Sequence, residues 1–300
     1  NGPFTLTEWK HNNEITVTKN EKYWNKDSVN LNTIRLVMIS DEMTELNMFE
    51  REELDWAGRP MSRLPAAAIP TLKRQGILRF KPVAGIEWYK FNTGRFPFNN
   101  LKMRKAFSYA INRKALIEKL MPENHTIATG IIPPPLSLQH EPYFGDGDIE
   151  LARKLFNEAL SEMGITREDL PTITLSFNAF EAHKLLSQAI QHQWRKAFNI
   201  TIELQSSEWK VHLSKLRNHD YHIGRSGWSA DFRDPINFLE IFKYRNDPET
   251  GGNNDTQWEN ENYAELLDLS ASIVDPDERE EILHQAEILL IEEMPIAPIY

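Results

Sequence analysis

Between Thr172 and Trp228 the chain alternates strand and helix patterns in an order that few folds can accommodate. Thr172-Ile-Thr-Leu-Ser-Phe177 alternates with period two, and residues 182–197 repeat apolar positions at helical spacing. Ile200-Thr-Ile-Glu-Leu204 reads as a second strand, residues 209–217 as a second helix, and residues 221–228 as a third strand. This β-α-β-α-β run predicts an α/β lobe with a parallel sheet, because parallel neighbours can be joined only by a crossover that packs on the sheet face. Ligands of such sheets bind beyond the carboxyl ends of the strands. Two loops occupy that place, residues 178–183 and residues 227–235, and their polar groups are Asn178, Glu181, His183, Asp231, Arg233 and Asp234. Arg225 lies within the third strand itself. Arginine is rarely buried unpaired, so it either faces solvent or is held for a salt bridge or a ligand anion. The pattern leaves these readings open.

The chain ahead of this lobe has a different character. Residues 15–19 and 33–39 alternate as strands, Asp41 caps a helix over 42–50, and short strands are expected at 54–56, 78–80 and 87–92. A helix broken by Pro65 and Pro70 is expected over 62–75. Beyond residue 93 helices dominate. Asn99 or Asn100 caps one through Ala110, Asn112 caps another through Met121, and Asp148 opens an amphipathic helix that Gly164 ends. Residues 131–135 are expected to be extended, and residues 262–273 and 278–293 are two further helices. A division near residue 93 follows, with a β-rich layer at 1–93 and an α/β lobe at 94–300. The chain begins inside a structured pattern (Phe4, Leu6, Trp9) and stops on the apolar run 295–300, which is expected of a piece of a longer protein.

Composition removes several function classes. No cysteine is present, so there is no thiolate metal site, disulfide framework or cysteine nucleophile. The net charge of −10 argues against nucleic acid or an anionic membrane as the main partner. No apolar run reaches the roughly 18 residues of a membrane span.

Individual residues carry competing readings. Gly227-Trp-Ser-Ala-Asp231 approaches the G-x-S-x-G turn of hydrolases, which would make Ser229 a nucleophile with His183 as base. That turn needs a small residue where Asp231 stands. Asp231 itself reads as a turn acid or helix cap ahead of Pro235. His183 reads as a helix-start or surface group, Lys119 as part of a solvated face, and Trp209 as core beside Leu213 and Leu216. His212, His219 and His222 give no pair at helical i,i+4 spacing, so no metal site is expected.

Several stretches, in a shared order along the whole chain, resemble one family: N-G-P-F-T-L-T-E-W (1–9), K-N-E-K-Y-W (19–24), N-T-G-R-F-P-F-N-N-L-K-M-R-K-A (92–106), A-I-N-R (110–113), T-G-I-I-P-P (129–134), S-E-W-K (207–210), G-W-S-A-D-F-R-D-P (227–235) and P-I-A-P-I-Y (295–300). Together they resemble the solute-binding proteins of peptide-type ABC importers, most closely the oligopeptide-binding branch. The resemblance implies a type II periplasmic-binding-protein fold, here an incomplete first lobe at 1–93 and a nearly complete second lobe at 94–300. It implies capture of a peptide between two lobes and delivery to a membrane-embedded ABC permease. It further implies a monomer outside the cytoplasm, attached through a lipid anchor or the permease, with no cofactor, no nucleic-acid partner and no catalysis. By the same resemblance Asp231 pairs with the peptide's amine, and Arg225, His183 and Lys119 meet its carboxylate. Arg217, offset by one residue, lies near the ligand backbone, and Trp209 and Trp228 wall the side-chain pockets. The alternatives are a nickel chelate or haem on the same scaffold, or a serine hydrolase at Ser229.

Overall fold

A computed structural model describes residues 2–65, 67–81, 83–121, 125–139, 141–247, 249 and 251–300. The chain forms two compact units, residues 1–79 and 80–300.

In the first unit β1 (Phe4–Lys10), β2 (Glu14–Lys19) and β3 (Thr33–Val37) make an antiparallel sheet in the order β1-β2-β3. Little of this sheet is covered by the unit itself. Leu6 is 58% exposed and Trp9 54%, although both belong to the strand pattern. α1 (Glu42–Glu50) starts where expected, with Asp41 accepting from the Thr44 N–H at 2.7 Å. The broken helix expected over 62–75 is reduced to α2 (Ile69–Arg74), which begins with a proline in its first turn; Ala66 lies outside the described residues. The strands expected at 54–56 and 78–80 do not form. Trp56 instead donates its indole N–H to the carbonyls of Gly58 and Arg59, which folds that segment back as a turn.

The second unit is built on a five-stranded sheet. Its elements are β4 (Gly85–Phe91), α3 (Leu101–Tyr109), α4 (Arg113–Leu120), α5 (Ile149–Met163), β5 (Ile173–Asn178), α6 (Glu181–Phe198), β6 (Ile202–Ser207), α7 (Trp209–Arg217), β7 (Ile223–Ser229), α8 (Ile236–Leu239), α9 (Glu261–Ser270), α10 (Pro276–Glu293) and β8 (Ile296–Pro298). The sheet order is β6-β5-β7-β4-β8. β5 runs parallel to β6 and β7, as the alternating pattern requires, while β4 joins β7 and β8 antiparallel. This pairing moves the division between units to residue 79, ahead of the expected split near 93. β4 gives its ladder to a partner more than a hundred residues downstream, so it belongs to the later sheet.

The helix caps are those the sequence expects. Asn100, Asn112 and Asp148 each accept from a first-turn N–H, and Gly164 takes the left-handed conformation at φ 66°. Residues 131–135 are only partly extended, since Pro134–Leu136 form a 3-10 turn.

β4 alternates between two cores. Tyr89 and Phe91 face a cluster with Phe98, Phe107, Phe156, Trp194 and Phe198, while Ile86 and Trp88 face Phe238, Phe242, Tyr263 and Leu283. Full burial of each such side chain contributes about 1.5–3 kcal/mol. Two arginines of the recurring motifs serve this architecture. Arg113 donates to the carbonyls of Pro298, Ser108 and Ile111, and Arg104 to those of Phe98, Glu293 and Met294. Burial lowers both guanidinium pKa values to about 10.

Candidate ligand-binding edge of the parallel strands

The chain leaves β5 for β6 on one side and returns through α7 to β7 on the other. The strand order therefore reverses between β5 and β7, the place where open α/β sheets form a crevice at the strand carboxyl ends. The β5–β7 ladder is short, pairing Leu175 with Ile223 and Ser176 with Gly224. Beyond that level stand Asn178, at the end of β5, and Arg225 in β7.

Arg225 is 8% exposed and resolves the readings its sequence left open. Its guanidinium is clasped by both carboxylate oxygens of Glu87 and donates to Asn178 Oδ1 at 3.4 Å. Register explains the clasp. Tyr89 of β4 stands opposite Arg225, and Glu87 stands opposite Gly227, so Glu87 and Arg225 are diagonal neighbours on one face. Gly227 makes the space. A Cβ there would lie 2.8 Å from the Ile86 carbonyl and 3.0 Å from Glu87 Oε2.

Asn178 Oδ1 also accepts from His183 Nδ1 at 2.8 Å. His183 is 4% exposed, not the surface or capping group that its position at a helix start suggests. Behind this cluster, buried His212 donates its Nε2 proton to the Arg225 carbonyl at 2.9 Å, and burial lowers its pKa.

The loop after β7 is pinned by one side chain. Asn237 Oδ1 accepts from the Trp228 indole at 2.9 Å and from the Asp231 N–H at 3.1 Å. Pro235 stands at the N-cap of α8, and Asp234 just ahead of it accepts from the Ile236 N–H and from Arg279. Asp231 is thus not the helix cap. It is exposed, and its carboxylate has no hydrogen-bond or ion-pair partner among the described residues. Trp228 packs partly buried against the second core. Trp209 opens α7 directly after β6, so it sits at the same carboxyl edge, 49% exposed rather than in the core, with its ring 6.2 Å from that of His212.

Two expected site residues stand apart. Arg217 ends α7, about 12 Å along the helix from Trp209, and so lies toward the amino ends of the strands. Lys119 is exposed in the last turn of α4, and no hydrogen bond or ion pair among the described residues joins it to the other expected site residues. Ser229 is exposed at the end of β7, and no hydrogen bond among the described residues joins it to His183. Nor do the described residues hold a cluster of three metal-ligating side chains. A cavity of about 190 Å³, lined by Arg153, Arg167 and Lys196 among others, lies at the far end of α6, away from these loops. Glu87 and Asn237 were not among the expected site residues. A charge inside the apolar run 85–91 is the signal that could have marked Glu87.

Residues 1–249 match the family described as bacterial extracellular solute-binding proteins, family 5, middle. The oligopeptide-binding protein of Bacillus subtilis is 45% identical over all of this chain and 55% of its own length. The dipeptide-binding protein of the same organism is 33% identical over all of this chain and 54% of its own. This chain therefore spans about half the length of these curated relatives. A crystal structure of a periplasmic oligopeptide-binding protein from Borrelia burgdorferi superposes with a TM-score of 0.83 at 29% identity, covering 99% of this chain and 58% of that one. The chain has the fold of the type II periplasmic binding proteins and belongs to family 5 of the bacterial extracellular solute-binding proteins.

Proposed function

We infer that the protein captures peptides outside the cytoplasm and hands them to a membrane-embedded ABC permease, without chemistry of its own. The observation that carries this reading is the unpartnered Asp231 carboxylate, on a backbone pinned by Asn237 at the carboxyl edge of the β5–β7 crevice. A peptide ammonium placed there makes a charge-assisted hydrogen bond, stronger still once the ligand excludes water. Main-chain hydrogen bonds to an extended ligand do not depend on its side chains, and Trp209 and Trp228 offer apolar walls beside them. By the resemblance, His183, Arg225 and Lys119 are the groups that meet a ligand carboxylate, Arg225 with its charge already shared with Glu87; Arg217, at the far end of α7, is left out of the contact set. Both curated relatives above are named for peptide binding. Residues 1–79 and 80–300 are assigned to the two lobes of the binding protein. It acts as a monomer, held at the membrane by a lipid anchor or by the permease; among the described residues no helix is long and apolar enough to cross a membrane.

Calorimetry of the intact protein with peptides of two to six residues tests this. Micromolar or tighter binding at one or more lengths is expected. Absence of binding at every length, with nickel or haem co-purifying, would replace peptide capture by chelate or haem binding on the same scaffold.

A further inference from the structure

We propose that Glu87 sets the carboxylate specificity of this site by neutralising Arg225, so that a ligand's free carboxylate gains little from the only cation on β7. This rests on the peptide-capture reading and adds a residue and a selectivity to it.

Three observations carry it. First, Arg225 is spent within the fold: its guanidinium meets both oxygens of Glu87, and its remaining arm reaches Asn178. A bidentate arginine–carboxylate pair is the strongest arrangement these groups have. A ligand carboxylate approaching it would meet a second negative charge beside the positive one. Second, the pair is built in. Gly227 opposite Glu87 leaves the room its carboxylate fills, and the backbone N–H and carbonyl of Glu87 are held by Tyr300 and Ile299 at 2.9 and 2.8 Å. Glu87 therefore cannot withdraw with its strand. Third, the neighbouring polar groups are engaged with one another, since Asn178 Oδ1 receives both Arg225 and His183. On β7 the positive charge is thus offset by Glu87, while the Asp231 carboxylate on the loop beyond has no partner among the described residues. Such a site holds a peptide by its amine and accepts free-acid and C-terminally amidated peptides at similar affinity wherever the ligand end lies against β7.

The test compares free-acid and amidated forms of one peptide series, two to six residues long, on the intact wild type, E87Q and E87Q/R225Q. In E87Q the arginine is released, and the free-acid preference is expected to rise ~10-fold or more at one or more lengths. In E87Q/R225Q, where both charges are gone, the ratio is expected to stay within about twofold of wild type at each length. The ratio is insensitive to a general loss of stability, and if E87Q does not fold, the doubly neutral variant decides alone. A free-acid preference that E87Q leaves unmoved, or that E87Q/R225Q abolishes, would overturn the role of Glu87. Wild type that binds no peptide would overturn the peptide reading and this inference with it.

Discussion

Arg225 and Asp231 belong to one short stretch of chain, yet they live under opposite conditions. Arg225 sits within β7, 8% exposed, with its charge met by Glu87 and a further hydrogen bond to Asn178. Asp231 sits on the loop just beyond, exposed, with its N–H held by Asn237 and its carboxylate left without a partner among the described residues. A buried charge must be compensated inside the fold or it destabilises the fold. An exposed carboxylate keeps its water until something with more to offer displaces it. The same local sequence therefore contains one charge that serves folding and one that is free to serve binding.

Substitutions separate the two. The largest effect is expected from Arg225→Ala, which strands the Glu87 carboxylate in a buried place and costs ~3–5 kcal/mol of stability in urea unfolding. E87Q/R225Q should recover most of that loss. Similar losses in both variants would mean that the site is destabilised through packing rather than charge. Next comes Asp231→Ala. Its unfolding free energy should stay within ~0.5 kcal/mol of wild type, while affinity for peptides with a free amine falls by ~2–3 kcal/mol. A large stability loss with unchanged affinity would invert the contrast.

A third case is a buried group with no ion-pair partner among the described residues. His222, at the entry to β7, is 5% exposed and accepts on Nδ1 from the Thr174 N–H at 3.3 Å. Burial, with help from the Arg95 charge, lowers its pKa to about 4 against a usual 6.5. The folded state thus refuses a proton that the unfolded chain takes up between these values. The stability this group contributes is complete above pH 6.5, declines as pH falls from 6.5 to 4, and changes no further below. The difference is on the order of 3 kcal/mol. His222→Asn should flatten that slope in a pH series of denaturation midpoints, and an unchanged slope would point to other groups. Smallest of all is Ser229→Ala, expected to move stability by less than ~0.5 kcal/mol and peptide affinity not at all; labelling of Ser229 by a fluorophosphonate would revive the hydrolase reading.

What the sequence disclosed tracks the range of the interactions. The β5-α6-β6-α7-β7 run and the caps at Asp41, Asn100, Asn112 and Asp148 are local patterns, and the structure keeps them. β1 is harder to see because its alternation is broken by a register shift between Leu6 and Glu8. Residues 54–56 and 78–80 carry a strand-like composition but find no neighbouring strand to pair with. The Glu87–Arg225 pair joins residues 138 positions apart, and nothing near either residue announces the other until β4 is known to lie against β7. His183 shows the same limit. Its place at a helix start suggests a surface group, while Asn178 and the packing around it decide otherwise.

The exposed half of the contrast is tested most directly by titrating the intact protein and its Asp231→Asn variant with one peptide in free-amine and N-acetylated forms. Wild type should prefer the free amine by ~10–100-fold, and Asp231→Asn should erase that preference while binding the acetylated form as wild type does. A preference that survives the substitution, or that wild type never shows, would contradict amine anchoring at Asp231.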